Sequence, residues 1–218
     1  MTDTRPGSIF QTVRSVFFGN MGKGKVTRDM ILGKAAALFN SRGYFGASMS
    51  DVMNATGLEK GGIYNHFPSK DQLALEAFDF AFQVSSAEVA RHLNKRERAI
   101  DKLMAFVDAF MSVASDPPVA GGCPLLNSAV ECDDGHPEMK IRVQKAMDTV
   151  LATVEKLVEN GISEGDIKPS TDAQQVARSF IATLEGGIML TRLYSDLAYM
   201  HSVATSLRNQ IKAIQISS

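Results

Sequence analysis

Between Ser48 and Leu73 the chain has room only for short helices. Gly57, the pair Gly61-Gly62 and Pro68 fall too close together for a long one, because glycine is a poor helix former and proline breaks the ladder. Ser48 can start a helix, with Asp51 spaced to complete a capping box. Val52, Met53 and Ala55 follow, and Gly57 ends the helix after about two turns. A third helix fits Lys60 to Phe67, and Ser69 caps a fourth that begins Lys70-Asp71-Gln72-Leu73. Ahead of these, Thr27 can cap a helix running to about Arg42. Its Ile31, Ala35, Leu38 and Phe39 share one face, and Gly43 stops it. Short helices joined by a glycine-containing turn make the helix-turn-helix plan.

Beyond Leu73 the helices lengthen. The spacing predicts one to about Asn94 and one from Arg96 to about Ser115, striped by Ile100, Leu103, Val107 and Phe110. Asp116-Pro117-Pro118 ends the latter. Gly121-Gly122-Cys123-Pro124 leads into a short helix, Leu125 to Glu131, and Pro137 suits the first turn of a long helix to about Gly161. Asp172 or Thr171 caps the next, which runs through Phe180, Leu184, Ile188 and Leu193, and a last helix spans about Tyr199 to Ile214. Strand alternation is absent, so the expectation is an all-α fold of about nine helices. Residues 1–24 are expected to be a flexible basic arm: Gly7, Gly19, Gly22 and Gly24 break any long pattern, though Ile9, Val13, Val16 and Phe17 could line a short amphipathic helix, and translation could instead begin at Met21. Residues 25–72 are then expected to form a helix-turn-helix head and residues 73–218 the larger body.

Charge divides along the same line. The first 71 residues hold nine Lys/Arg against five Asp/Glu, leaving fourteen against nineteen for the rest. A basic head on an acidic body suits nucleic-acid binding by the head. No run approaches the roughly 20 apolar residues of a membrane span. Residues 9–18 are interrupted by Gln11, Arg14 and Ser15, so no secretory leader is read there and a cytoplasmic protein is expected. Two cysteines, Cys123 and Cys132, are too few for a disulfide scaffold. No phosphate loop, nucleophile elbow or paired-histidine metal helix occurs, so neither an enzyme nor a cofactor or metal is expected.

The segment from Thr56 to Leu73 carries the chemistry. Gly61 and Gly62 remove side chains where a large partner's backbone could approach. Lys60 and Lys70 bracket the short helix and can reach phosphates. Tyr64, Asn65 and His66 put hydrogen-bonding groups on its exposed side, while Ile63 and Phe67 anchor the other side in the core. His66 is open between a phosphate ligand and a helix cap.

This stretch resembles the signature of TetR-type regulators: a glycine turn, Lys60-Gly61, Tyr64-x-His66-Phe67, then Lys70-Asp71-x-Leu73. Ala36-x-Leu38-Phe39, Arg42-Gly43-Tyr44 and Ser48 to Val52 resemble that family's first two helices in order and spacing. The resemblance implies a recognition helix, Lys60 to His66, lying in the major groove. It implies that Thr27, Arg28, Ser48, Ser50, Tyr64, His66 and Lys70 touch mainly phosphates, with Met49 beside them, and that Lys60, Gly61, Gly62 and Asn65 lie nearest the base edges. Glu59 stands where the family often has Ser or Ala, and Gly62 where Thr or Ser is usual. An acid at 59 repels phosphate unless it caps the helix or accepts from a cytosine amine.

The resemblance further implies a homodimer through the last two helices, a palindromic double-stranded DNA operator and a body that binds a small-molecule effector, the chain acting as a repressor that the effector releases. Gly186-Gly187 could permit close helix approach. Effector candidates are Met104, Val107, Phe110, Met111, Leu125, Leu126, Phe180 and Met189, each of which could equally be plain core. Cys123 joins them: at a helix start its thiolate would be favoured, which opens a redox or electrophile-responsive alternative, against a small packed residue. A ligand-independent DNA-binding protein is the other alternative. Glu131, Asp133, Asp134, His136 and Glu138 form an acidic cluster, read as a solvated loop capping the next helix, with a metal site as the sharper alternative.

Overall fold

The computed structural model describes residues 23–216, of which nearly all but the connecting turns are helical. Nine helices occur among the described residues. They are α1 (Lys23–Arg42), α2 (Met49–Thr56), α3 (Lys60–Tyr64), α4 (Lys70–Leu93), α5 (Ala99–Ser115), α6 (Pro124–Cys132), α7 (Pro137–Ser163), α8 (Ala173–Tyr194) and α9 (Ala198–Ile214). The only extended pairing among them is one antiparallel bridge, Ile167 to Gln215. The expectations for residues 1–22 lie outside the described residues.

Local chemistry explains most helix ends. Ser48 and Asp51 form the reciprocal capping box that opens α2, and Gly57 closes it at φ 71°, a left-handed conformation that glycine adopts without strain. Ser69 accepts from the Gln72 N–H to open α4, and Asp172, rather than Thr171, accepts from the Gln175 N–H to open α8. His136 caps α7 ahead of Pro137, its Nδ1 accepting from the Met139 N–H. Two boundaries differ from expectation. Thr27 does not open α1, which already runs from Lys23, and a single Gly24 costs only about 1 kcal/mol against continuing it. The third helix ends at Tyr64, and the chain to Phe67 is closed by a tighter turn in which the His66 and Phe67 N–H groups both donate to the Ile63 carbonyl.

Two apolar cores share one helix. Ile31, Leu32, Ala35, Ala36, Val52, Ile63 and Phe67 fill the head core together with Leu73, Ala77 and Ala81 of α4. Ala74, Leu75 and Phe78 of the same helix enter the body core, beside Leu103, Phe106, Val107, Phe180, Leu184 and Ile188. Residues 73, 77 and 81 recur at helical spacing on one side of α4, and 74 and 78 on the adjoining side. The boundary read from sequence at residues 72 and 73 therefore falls inside the first turn of α4. Val119, from the loop after α5, also packs into the head core. No described helix is long and apolar enough to cross a membrane.

Phe67 is fully buried where α3, α1 and α4 meet. Truncating it removes a large transfer free energy and leaves a cavity. Phe67→Ala is expected to destabilise the chain by roughly 3–5 kcal/mol, read as a lower denaturation midpoint.

Candidate nucleic-acid interface

The short α3 is held from behind. Ile63 and Phe67 are fully buried, so the rest of the helix is turned outward. Lys60, Gly61, Tyr64 and Asn65 are exposed, and Lys60 Nζ lies 5.5 Å over the Tyr64 ring. A Cβ built at Gly61 would meet nothing within 4 Å, so the fold itself does not require glycine there. Gly62 is half-buried, with the Leu58 Cβ 3.6 Å from where its own would be. Glu59 occupies the N-cap position of α3 without any side-chain capping bond, which leaves its carboxylate exposed on this face. His66 is half-buried and does not cap α3, whose end is closed by the Asn65 N–H donating to the Gly61 carbonyl at 3.0 Å.

The flanking residues divide. Ser48 and Ser50 are exposed at the start of α2, and Met49 is half-buried against the head core. Arg42 pairs with Asp51 at 3.1 Å across the α1–α2 turn. Thr27 is half-buried on α1. Arg28 is engaged within the chain: its guanidinium pairs with Glu76 of α4 and lies 4.6 Å over the Phe67 ring. It ties α1 to α4 and has less freedom to reach outward than Lys60. Lys70 Nζ sits 4.2 Å over the Tyr44 ring. The Tyr44 hydroxyl donates to Asp71, and burial together with that carboxylate pushes its phenol up to about 12. No local signal in the sequence marks Tyr44 for this junction, because its partner Asp71 lies 27 residues away.

In the body, Val107, Phe110, Leu125 and Phe180 are buried, while Met104, Met111 and Leu126 pack half-buried against the same core. The Phe106 ring stacks on Phe110 at 5.4 Å and meets Phe180 edge-on at 5.7 Å. Met189 does not join them. It is 49% exposed, on a side of the α8 end that also shows Leu193 and Tyr194. Gly187 does allow close approach, since a Cβ there would fall 2.8 Å from Met200 Sδ of α9, whereas one at Gly186 would meet nothing.

Cys123 corrects an expectation. It stands at the N-cap of α6, yet burial and then the neighbouring Glu185 charge push its thiol well above the ordinary value. Desolvation outweighs the helix terminus, so the thiolate is disfavoured. Its Sγ donates to Glu185 Oε1 at 3.1 Å, and Glu185 Oε2 is buried without a partner. The acidic cluster also disperses. Glu131 takes two N–H groups from the α1–α2 turn, His136 caps α7, and Glu138 faces Arg142 at 4.0 Å. Among the described residues no three such groups converge as a metal site would need. A narrow cleft of about 30 Å³ lies instead between head and body, lined by Phe39, Tyr44, Phe78, Cys132, His136 and Met139.

Comparison with known proteins gives this geometry its context. Residues 31–77 match the family described as bacterial regulatory proteins, tetR family, and residues 99–207 match the one described as tetracyclin repressor-like, C-terminal domain. The crystal structure of a TetR transcriptional regulator from Chloroflexus aurantiacus is similar with a TM-score of 0.88 and 43% identity, covering 90% of this chain and 100% of that one. An uncharacterised helix-turn-helix-type transcriptional regulator of Mycobacterium tuberculosis is 28% identical over 85% of this chain and 94% of its own length. The helix-turn-helix-type transcriptional repressor ComR of Escherichia coli is 26% identical over 86% of this chain and 90% of its own.

Glu185 gives the body a pH dependence. Burial raises its carboxyl from 4.5 to about 7, against the opposing bond from Cys123. The folded chain holds that proton more tightly than the unfolded one, so the full stability is present below about pH 4.5 and is lost as pH rises to 7, a span worth on the order of 3 kcal/mol. Glu185→Gln is expected to flatten the fall in Tm between those pH values and to melt above the wild type at pH 8, as thermal scans across the range would read.

Proposed function

Because this chain belongs to the TetR family of bacterial transcriptional regulators, we propose that the outward face of α3 reads an operator in the major groove of double-stranded DNA. The chain is a helix-turn-helix regulator of transcription and not an enzyme. One observation carries the assignment of α3: Ile63 and Phe67 fix the helix from behind, leaving Lys60, Gly61, Tyr64 and Asn65 uncovered. The empty space around Gly61 supports it, because a glycine that the fold does not need is explained by a partner's backbone. Lys60, Gly61, Gly62 and Asn65 approach base edges. Ser48, Ser50, Tyr64, His66 and Lys70 set register on phosphates, with Met49 at their edge and Thr27 on the flank. Arg28 acts mainly by holding α1 against α4. Glu59 is left to accept from a cytosine amine.

Residues 25–72 serve as the head and residues 73–218 as the body, with α4 common to both. The chain works as a homodimer through α8 and α9. Met189, Leu193, Tyr194 and Leu197 form an apolar surface at that end of the molecule, which supports this pairing. Two heads then meet successive major grooves roughly 34 Å apart, and the two-fold axis implies a palindromic operator. A small-molecule effector enters the body core among Met104, Val107, Phe110, Met111, Leu125, Leu126 and Phe180, near Cys123. Supporting this, the unpartnered Glu185 Oε2 offers a buried acceptor to any ligand that brings a donor. Effector binding shifts α4 and changes the separation of the heads, releasing DNA by population shift. Repression is the favoured direction, as in the relative named a repressor. Acting on DNA, the protein works in the cytoplasm.

The test is a gel-shift titration at fixed salt against the DNA upstream of the chain's own gene, with the wild type and the Lys60→Ala/Tyr64→Ala double variant. Wild-type binding is expected to resist competitor DNA and to fall steeply as salt rises. The double variant is expected to lose at least tenfold, about 1.4 kcal/mol or more. Equal binding by both proteins to every fragment in a genome-wide selection would show that α3 is not the reader.

A further inference from the structure

The body carries a docking surface for the α1–α2 turn of the head, and its polar contacts come from the short helix α6 and the loop that leads into it. Glu131, in the last turn of α6, accepts from the backbone N–H of Tyr44 at 2.7 Å and of Phe45 at 2.8 Å. One turn earlier on α6, the Asn127 side-chain amide donates to the Asn40 carbonyl and to Asn40 Oδ1, both at 2.9 Å, and to the Gly121 carbonyl at 2.8 Å. Asn40 in turn donates to the carbonyls of Ala120 and Gly122, each at 3.0 Å.

Three glycines make the approach possible. A Cβ at Gly43 would stand 2.5 Å from Glu131 Oε1, one at Gly121 2.4 Å from the Asn40 carbonyl oxygen, and one at Gly135 2.8 Å from the Phe45 ring. Gly43 and Gly121 also hold φ values of 78° and 113°, where a side chain is strained. The turn being gripped leads directly into α2. Through Tyr44 it also reaches α4: the Tyr44 ring carries Lys70 and its hydroxyl binds Asp71, while its other edge meets His136 at 4.9 Å.

Accepting two backbone N–H groups with one carboxylate is a charge-assisted fork, which fixes orientation as well as distance. A contact to backbone is also indifferent to the side chains of the turn. We propose that Glu131 is a positioning residue for DNA binding: it pins the head to the body in one orientation, so that the spacing of two heads in the dimer is set by α6. The proposal rests on the reading of the chain as an operator-binding dimer.

Glu131→Gln tests it, because a carboxamide accepts one N–H and turns its own donor toward the other. Two measurements are made on wild type and variant. Amide hydrogen exchange reads the pin directly and needs no DNA. Operator binding is measured on a site selected with the wild type and on the same site with its half-sites moved one base pair closer or further apart. Wild type is expected to protect the Tyr44 and Phe45 amides and to lose roughly tenfold or more on either altered site, within the usual range of coupling between sites. The variant is expected to exchange those amides at least tenfold faster and to lose most of that spacing preference, with its salt dependence unchanged because no phosphate contact is removed. Asn127→Ala, which cuts the second link, is expected to move both readouts the same way and serves if Glu131→Gln lowers Tm. Rapid exchange of both amides in the wild type would overturn the pin. A folded variant that keeps the full spacing preference would overturn the positioning role. If the wild type selects no DNA above competitor, the operator reading fails, and the exchange result still decides whether the turn is pinned.

Discussion

One helix takes part in two cores, and the rest of the structure is arranged around that fact. α4 gives Leu73, Ala77 and Ala81 to the head and Ala74, Leu75 and Phe78 to the body. Close-packed interiors do not stretch, so neither face can slide without disturbing its own core. The small residues on the head side let α1 lie close against α4, and Arg28 and Glu76 close that seam with an ion pair at its edge. Any signal that displaces α4 in the body is therefore delivered to the head as a rigid movement.

The exposed face of α3 follows from the same packing. A helix this short has no stability of its own and persists because Ile63 and Phe67 are buried. What remains outside is cationic, hydrogen-bonding or bare backbone. The acid at Glu59 is the exception on that face, exposed and without a capping bond.

Much of the architecture was legible in the sequence where its cause is local. Ser48 with Asp51, Ser69, Gly57 and Pro137 each act on their own neighbourhood, and each stands where its chemistry says it should. Thr27 shows the limit of such signals, since a residue suited to open a helix lies here inside one that starts earlier. Periodicity found the stripe of α8, and Phe180, Leu184 and Ile188 are indeed core, but it could not tell that Met189 and Leu193 fall on the uncovered side. Glu131 and Cys123 were beyond reach for a different reason. Glu131 meets its partners 86 and 87 residues away, and Cys123 meets Glu185 62 residues away. In the sequence Glu131 was one acid among several, and only the fold separates it from Asp133, Asp134 and Glu138.

The tight glycines between head and body bear on how far this molecule is modular. Families of this kind invite grafting, in which the reader of one protein is joined to the sensor of another. Here the seam is not the stretch of α4 where the two cores meet in sequence. It is a fitted surface made by Gly43 and Asn40 on one side and by Gly121, Asn127, Glu131 and Gly135 on the other. A transplanted head that brings a bulkier residue at position 43, or a body that brings one at 121, meets a close contact and a strained backbone together, whereas one at 135 meets only the far end of the exposed Phe45 ring. Compatibility between head and body is thus set by a handful of positions on the surface they share.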